Sequence, residues 1–536
     1  MKICIYDKHF ATLGGGEKHI GAVAEILSEK NQVFIFHCGS FKKTDLKKRL
    51  NLDLSKVSFL EFESIPTIDK TVTDIVKEFN TEIFINATYF SRLYVEGVRN
   101  MSLIFFPKYI YPYEFGKRDI IKYKIGNALF KEYKSKVEFQ HFSNMEYIHG
   151  CFGRWSYARS YIVINSSFNN VKIYYENFKN QIIKRIIQYI KLHGEINFYF
   201  DEKKFYFNFN YKYLTPGVLE MGFKTFRPDE LDSDSIDSRD LGLFITIVKI
   251  DTFSILTKLI LNLWRAKYTK SILTRLFVKS DCIEEQLRYK NFLSKNEVVL
   301  SNSKYTGSWI NKIYGNKMSI KMLYPPVSVE EFYSEKKENI ILSVGRFFIG
   351  DHNKKQLELI KFFKRMYDLY PEIRSYTFHL CGGTHKEKRN LQYLELCHMS
   401  AEGYPIEIHP NIQYENLKSL YAKSKIFWHA SGLYENEQAS PDKFEHFGIT
   451  TVEAMASGCI PVVIGVAGQL EIVENNINGF LWKTEEQLVN LTRKVIADET
   501  LQQKLSENAI KRAKDFDHAH FDKRVREIFG KSGVPV

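Results

Sequence analysis

Short apolar runs alternate with amphipathic stretches over the first 145 residues of this chain. The apolar runs have the length of buried strands, and the stretch Glu17–Glu29 has the spacing of an amphipathic helix. Because strands that alternate with helices usually pair in parallel, this part predicts a parallel sheet covered by helices. The predicted strands are Lys2–Tyr6, Val33–Cys38, Val57–Phe62, Ile83–Ala87, Leu103–Phe106 and Val137–Phe142.

A second alternation of the same kind begins near residue 338. Two such blocks predict an α/β chain with two Rossmann-like parallel-sheet domains that face a cleft. Ligands of open α/β sheets bind outside the carboxyl ends of the strands, so the cleft is the expected site. The second block has predicted strands at Ile340–Val344, Tyr376–Cys381, Ile406–His409, Ile426–His429 and Ile460–Ile464, and predicted helices at Lys355–Tyr367, Glu415–Ser424 and Ile449–Ala456.

Residues 160–290 do not follow this rhythm and are interpreted as an insertion in the first domain. Apolar–polar alternation in Glu195–Tyr213 predicts a β-hairpin. The dense apolar stretch Leu243–Leu263 contains three charges, which is too many for a comfortable membrane span. It predicts a buried helix, and the alternative is a peripheral contact with a membrane surface.

Composition narrows the class of protein. The 536 residues are 44% apolar and 26% charged, as in ordinary soluble proteins. Seven scattered cysteines without a CxxC pair argue against a zinc site and a disulfide framework, and for a reducing compartment. The N-terminus has no signal-peptide pattern, so a cytoplasmic location is expected. The net charge of +13 fits nucleic acid, an anionic membrane surface or phosphorylated small molecules, but no nucleic-acid motif is present.

The stretch Glu445–Leu481 carries the richest chemistry. Gly448 opens the predicted helix Ile449–Ala456, and Gly458 closes it as a left-handed cap would. The N–H groups at the start of such a helix suit an anion such as a diphosphate. Glu445 precedes the helix and Glu453 lies within it, so the two carboxylates can contact different parts of one elongated ligand. For an isolated pair of glutamates, a helix cap and a solvated helix face would explain them equally well.

This stretch resembles the E-x7-E signature of the retaining family 4 glycosyltransferases, which have the GT-B fold. The family shows E-x-F-G, then E-A-M/L-A-x-G-x-P-V, and later G-x-x-E-I-V and N-G-F-L. This chain has the matching residues in order, namely Glu445, Phe447, Gly448, Glu453–Ala456, Gly458, Pro461-Val462, Gly468, Glu471–Val473 and Asn478–Leu481.

The resemblance implies a role for each matched position. Glu445 is expected to contact the hydroxyls of the transferred sugar. The amides around Phe447, Gly448 and Ile449 are expected to hold sugar and phosphate, and Glu453 is expected to bind the ribose hydroxyls.

A second element, Ile340–Glu358, resembles the family's strand followed by V-G-R and a lysine. There Arg346 and Lys354 would neutralise the diphosphate as charge develops on it. Alignment of Gln356 with the family glutamine favours Lys354, although the sequence does not separate it from Lys355. Without the resemblance, Arg346 would fit a salt bridge equally well.

The glycine run after the first strand looks like the loop that faces the donor phosphates and the acceptor in this family. Gly15 and Gly16 are the expected donor-binding positions, although a tight turn also explains a glycine run. Phe105 stands where many members have a histidine beside the sugar, and His9 or His141 could substitute for it in space.

No metal and no cofactor are expected. Asp232 and Asp234 fit a D-x-D metal motif only superficially, since they lie in a generally acidic loop. The basic pair Arg346 and Lys354 removes the need for a metal. The donor is expected to be a UDP- or GDP-sugar.

The sequence and its resemblance together predict a first domain over 1–320 and a nucleotide-sugar domain over 321–510. The resemblance alone implies that a final helix over 511–536 crosses back to the first domain. The predicted function is retaining transfer of a hexose-type sugar to a glycan or lipid-linked acceptor in surface polysaccharide or glycoconjugate synthesis. The location is cytoplasmic, with a possible peripheral contact at the inner face of the membrane. The alternatives are a degenerate GT-B partner protein and another GT-B catalyst such as a nucleotide-sugar epimerase.

Overall fold

A computed structural model describes residues 1–63, 68–107, 117–142, 146–148, 151–164, 170–176, 187–191, 197–201, 206–210, 217–223, 244–250, 253–265, 283–315, 318–350, 352–384 and 388–536. The strands are β1 Lys2–Tyr6, β2 Gln32–Cys38, β3 Val57–Phe62, β4 Ile83–Asn86, β5 Arg99–Ile104, β6 Val137–Phe142, β7 Glu146–Ile148, β8 Cys151–Ile164, β9 Asn170–Glu176, β10 Ile187–Lys191, β11 Asn197–Asp201, β12 Tyr206–Asn210, β13 Gly217–Phe223, β14 Phe244–Ile250, β15 Val298–Ser301, β16 Ile320–Met322, β17 Glu338–Val344, β18 Thr377–Gly382, β19 Ile406–Pro410, β20 Ser424–His429, β21 Ile460–Ile464 and β22 Phe480–Trp482. The main helices are α1 Gly15–Leu27, α2 Ile68–Glu78, α3 Lys117–Lys136, α4 Ile255–Arg265, α5 Lys304–Tyr314, α6 Gln356–Leu369, α7 Lys388–Ala401, α8 Tyr414–Lys423, α9 Ile449–Ala456, α10 Gln469–Ile472, α11 Glu485–Ala497, α12 Glu499–Ala513 and α13 His518–Lys531.

The first sheet has seven parallel strands in the order β16-β15-β5-β4-β1-β2-β3. Its strands are rich in buried Ile and Val, as expected for a sheet covered on both faces. The strand order reverses between β1 and β4. At such a point the loops diverge to opposite faces and leave a crevice for a ligand.

The second sheet has six parallel strands in the order β19-β18-β17-β20-β21-β22, with its reversal between β17 and β20. Its strands and helices enclose two apolar clusters. The two parallel-sheet domains confirm the predicted fold class. The last helix, α13, packs Phe521, Val525 and Phe529 into the apolar cluster of the first sheet.

Residues 65–67 and 114–288 form a second compact unit. Its nine strands, β6 to β14, pair in an antiparallel manner. The pairing of β11 with β12 confirms the predicted hairpin. The acidic positions Asp232 and Asp234 lie outside the described residues.

Three predicted elements need correction. The strand predicted at Val137–Phe142 as part of the first parallel sheet is β6, which pairs with β8 in an antiparallel manner in the second unit. The stretch Leu243–Leu263 is not one buried helix: it divides into β14 and the helix α4, whose Ile255 and Leu256 are 86% and 65% exposed. The β-branched residues of β14 favour a strand, and helical spacing begins only after it. The strand predicted at Leu103–Phe106 is β5, which begins earlier because Arg99 and Asn100 pair with β4 through backbone groups whatever their side chains. No described helix combines the length and the apolar character needed to cross a membrane.

Candidate active site

A cleft of about 920 Å³ lies beyond the carboxyl ends of β1 and β17, and residues of both parallel-sheet domains line it. That size is typical of small-ligand sites. Eight of the nine predicted site residues are among its lining residues, and Glu453 is not. The eight are Gly15, Gly16, Arg346, Lys354, Glu445, Phe447, Gly448 and Ile449.

The glycine run begins helix α1 on the first-domain side. Gly14 is the residue before the helix, and its N–H donates to the Glu17 carboxylate at 2.7 Å. A Cβ added to Gly16 would lie 3.5 Å from the Phe105 ring, which is ordinary contact. The first turn of α1 therefore presents backbone to the cleft beside an apolar ring.

The loop after β17 separates the two adjacent lysines. Lys355 has a φ of 59° and precedes helix α6, so the chain reverses direction at this residue. Lys354 Nζ lies 2.5 Å from a Glu445 carboxylate oxygen and lines the cleft. Lys355 Nζ donates instead to Glu435 at 2.8 Å. The geometry thus directs the amino group of Lys354, and not that of Lys355, to Glu445.

Glu445 is held by two partners. Besides Lys354, the Nε2 atom of His429 lies 3.0 Å from the same carboxylate oxygen, and His429 is the last residue of β20. Burial favours the neutral form of Glu445, but the Lys354 charge and the His429 hydrogen bond outweigh it and hold the pKa well below the ordinary range. Glu445 is therefore ionised at neutral pH, at the strand-order reversal of the second sheet.

Helix α9 points its N-terminus at the cleft. The N–H groups of Ile449 and Thr450 have no acceptor within the helix, so they are available to an anion, whereas the N–H of Thr451 donates to the Gly448 carbonyl oxygen at 3.0 Å. Gly448, the residue before the helix, has a φ of 123°, and a Cβ there would lie 2.6 Å from Gln469 Nε2. Only glycine fits this position without displacing Gln469.

Arg346 lies two residues after the end of β17 and is exposed to the cleft. Among the described residues it makes no ion pair, so its guanidinium remains available to a ligand anion. The cleft thus offers one uncommitted cation, one lysine bound to Glu445 and the amides of a helix N-terminus. This combination suits a diphosphate next to a hydroxyl-rich group.

Glu453 lies further along α9. Its carboxylate accepts a hydrogen bond from the Tyr421 hydroxyl at 3.1 Å. Burial raises its pKa to about 7, although Tyr421 and Lys18 favour the charged form. The Glu453 carboxyl group therefore changes between its protonated and ionised forms near neutral pH.

Three histidines in the cleft were missed by the sequence analysis. His352 and His446 meet edge-to-face with centroids 4.8 Å apart, and His446 stacks on Phe106 at 4.1 Å. His19 packs against Phe105, and neither of its ring nitrogens has a hydrogen-bond partner among the described residues. Burial lowers the pKa of His19 to about 3, so its ring is neutral. The signals were present, since His446 lies inside the E-x-F-G motif and His19 follows the glycine run.

The two histidines considered as substitutes for Phe105 have different outcomes. His9 is exposed and is not among the lining residues. The side chain of His141 lies outside the described part of the chain.

Glu471 connects the two parallel-sheet domains. Its carboxylate accepts the N–H groups of Lys304 and Tyr305 at 2.8 and 2.7 Å, and the hydroxyl of Tyr324 at 2.8 Å. Lys304 and Tyr305 start helix α5 of the first domain, so Glu471 caps that helix from the second domain. This contact fixes one wall of the cleft relative to the other.

Comparisons with known proteins agree with this geometry. Residues 328–512 match the family model described as glycosyl transferases group 1. The chain is 28% identical over 201 residues to GDP-Man:Man(3)GlcNAc(2)-PP-Dol alpha-1,2-mannosyltransferase of Xenopus laevis, and 27% identical over 238 residues to the protein of that name from Dictyostelium discoideum. These matches cover 35% and 40% of this chain, and only 39% and 44% of the relatives.

Solved structures match nearly the whole chain. The sucrose-phosphate synthase of Thermosynechococcus elongatus superposes with a TM-score of 0.53 at 10% identity, covering 99% of this chain and 98% of that one. The Anabaena protein HepE, solved in complex with UDP, gives 0.53 at 11% identity, covering 99% and 100%. At such identities the similarity establishes the fold alone. The chain therefore has the GT-B fold, and its residues 328–512 are similar to the glycosyl transferases group 1 family.

Proposed function

We propose that this chain transfers a sugar from a nucleoside-diphosphate sugar to a glycan or lipid-linked acceptor. The observation that carries the proposal is the convergence of Arg346, Lys354 and Glu445 with the N-terminus of α9 in one cleft. The names of the matched mannosyltransferases support a sugar-nucleotide donor and a lipid-linked acceptor, and the group 1 domain supports the reaction class.

In this proposal the positively charged groups and the carboxylate act on different parts of the donor. The guanidinium of Arg346, the ammonium of Lys354 and the first-turn amides of α9 bind the diphosphate. As the bond from the sugar to the diphosphate breaks, negative charge grows on the leaving oxygen, and fixed cations stabilise it. The ionised Glu445 accepts hydrogen bonds from sugar hydroxyls, and His429 acts as a positioning residue that holds the carboxylate in place.

The retaining outcome, the hexose-type sugar and the independence from metal are also proposed. A donor with an α-linked diphosphate would then give an α-linked product. Proton NMR of the anomeric centre in the product measures this, and a β-linked product from such a donor would contradict it. Undiminished transfer after treatment with a chelator would support metal independence.

The donor site is tested with the two adjacent lysines. Isothermal titration with UDP and with GDP, each with and without its sugar, identifies the preferred nucleotide. Lys354→Ala removes the cation in the cleft, so affinity for that nucleotide should fall about tenfold to a hundredfold, as for loss of a charge-assisted hydrogen bond. Lys355→Ala is the matched control and should change affinity less than about twofold, because that lysine is bound to Glu435.

Two outcomes would overturn the donor site. Equal losses in the two lysine variants would remove the assignment of Lys354. Binding of neither nucleotide by the folded chain would favour a degenerate GT-B partner protein. Release of nucleoside diphosphate without an acceptor, with an altered sugar, would indicate an epimerase instead.

We further propose that the chain is cytoplasmic and meets an anionic membrane surface through its antiparallel unit. The support is the exposed apolar edge of α4, where Ile255, Leu256 and Leu259 are 86%, 65% and 52% exposed, on a chain with net charge +13. Flotation with anionic vesicles at low salt should capture the chain, and Leu256→Asp should reduce capture. Leu369→Asp, at a site 62% exposed in the second domain, is the control that should not. Failure of the unaltered chain to float would contradict this proposal.

A further inference from the structure

Two histidines and a glutamate meet at the edge of the second sheet. His379 lies on β18, and Glu407 and His409 lie on the neighbouring edge strand β19. The parallel register places His379 opposite Glu407, and His409 two residues further along the same strand. Because side chains alternate along a strand, all three project from one face of the sheet.

The ligand atoms of these side chains form a small triangle. His379 Nδ1 lies 3.1 Å from His409 Nε2, and Glu407 Oε2 lies 3.7 Å from the first nitrogen and 3.5 Å from the second. Ligand atoms that lie about 2.1 Å from one zinc ion at tetrahedral angles are about 3.4 Å apart, close to the three distances observed here. The triangle therefore has the size of one face of a zinc tetrahedron.

The surroundings favour a bound ion over a chance cluster. The second ring nitrogen of His379 lies 3.1 Å from Thr377 Oγ1, which fixes the orientation of the imidazole as outer partners do in metal sites. His379 is almost completely buried, whereas the Glu407 side chain is 58% exposed. The fourth ligand position thus opens to water, and an ion can enter from solvent.

We propose that His379, Glu407 and His409 bind one divalent transition-metal ion, with zinc as the expected occupant and water as the fourth ligand. The inference goes beyond the proposed transfer reaction and does not rest on it. Two imidazoles and one carboxylate are a donor set that zinc prefers, and no thiol is needed. This site differs from the cysteine-based one that the sequence argues against.

The ion would join the last two strands of the sheet close to the cleft. Gly382 and Gly383, which follow His379 by three and four residues, line the cleft, as do Asn411 and Ile412 on the chain leaving β19. The Asn411 amide already accepts the N–H of Thr384 at 3.0 Å across the same two loops. A metal bridge between β18 and β19 would hold this wall of the cleft rigid.

The test measures metal binding by the purified full-length chain, reduced and stripped with a chelator. Zinc titration against a chromophoric chelator should show one tight equivalent, and Co²⁺ should give the intense visible absorption of a tetrahedral site. His409→Ala should weaken binding at least about a hundredfold and Glu407→Gln at least about tenfold. Both replaced side chains lie at the partly exposed sheet edge, so both variants should fold.

The control variant is His398→Ala, an exposed histidine on α7 outside the cluster, which should bind zinc like the unaltered chain. Zinc should also raise the melting temperature of the chain and of His398→Ala, but not of His409→Ala. Equal zinc binding by His409→Ala would place the ion elsewhere, for instance on the cysteines, and would overturn the proposal. If the unaltered chain bound no equivalent of zinc tightly, the proposal would be overturned too. The three side chains would then make only the His379–His409 hydrogen bond and the contacts of both histidines with Glu407.

Discussion

The two sides of the cleft differ in whether their polar side chains are already held by hydrogen bonds and ion pairs to one another. On the second-domain side, Lys354 and His429 both contact Glu445, so charge, position and ionisation are set before any ligand arrives. On the first-domain side, the cleft has the glycine run, the Phe105 ring and His19, whose ring nitrogens have no hydrogen-bond partner in the described part of the chain. A preorganised side suits a ligand part that never changes, such as a diphosphate, whereas the open side leaves room for a variable acceptor.

The glycines show the same difference. In the second domain, a Cβ on Gly382 would lie 2.0 Å from the Gly345 carbonyl oxygen, and one on Gly468 would lie 2.5 Å from the Phe447 backbone. In the first domain, a Cβ on Gly16 would meet only the Phe105 ring at an ordinary distance. Gly382 and Gly468 are needed for packing, whereas Gly16 leaves space at the cleft surface.

The largest expected effect is on the stability of the second domain. Gly382→Ala places a methyl group against backbone that cannot move cheaply, so unfolding should become easier by about 4 kcal/mol, at the extreme of single substitutions. Gly383→Ala is the matched control, because its Cβ would lie 3.8 Å from the nearest atom. Calorimetric melting measures the stability of both variants. Equal stability of the two variants would contradict the tight packing inferred for the second-domain side.

The next effect is on catalysis. Glu445→Gln keeps the shape of the side chain but removes the charge that Lys354 and His429 hold. Release of nucleoside diphosphate in the presence of acceptor should slow by about a hundredfold to a thousandfold. The melting temperature should fall as well, because a carboxylate whose pKa is held below the ordinary range stabilises the folded chain, so the rate is measured well below the melting temperature of the variant. An unchanged rate would show that the preorganised carboxylate has no part in transfer.

A smaller effect concerns pH. Because the pKa of Glu453 is about 7 in the folded chain and about 4.3 when unfolded, its contribution to stability is complete below pH about 4.3 and is lost as the pH rises through 7. Glu453→Gln stays neutral, so its melting temperature should exceed that of the unaltered chain by a few degrees at pH 8 and by much less at pH 5. If the advantage of Glu453→Gln in melting temperature grew toward acid pH instead, the raised pKa of Glu453 would be contradicted.

The smallest effect is expected at Gly16. Alanine there meets only an aromatic ring and is the better helix former, so Gly16→Ala should leave the melting temperature unchanged or raise it slightly, by at most about 1 kcal/mol in stability. Any loss should appear in the KM for the acceptor or donor, measured by steady-state kinetics. A marked loss of stability would show that the first-domain side is packed as tightly as the second.

Much of the fold and part of the site followed from local sequence pattern. Four predicted strands have the observed bounds, namely β1, β3, β6 and β21, and helix α9 has its predicted ends. Gly458 has the positive φ expected of a left-handed cap. Such features depend on neighbours a few residues apart, which a sequence displays directly. The roles of Arg346, Lys354, Glu445 and Glu453 stay predictions until the variants are measured.

The sequence by itself determined the two α/β blocks, the glycine that opens α9 and the candidate residues that follow strand ends. Only the tertiary structure decided which of two adjacent lysines reaches Glu445, since that choice depends on a left-handed turn at Lys355. It alone brought Glu471 to the end of a helix in the other domain, and His379 to a histidine 30 residues away. Such contacts depend on strand register and domain packing, because residues far apart in the chain leave no periodic signal in the sequence.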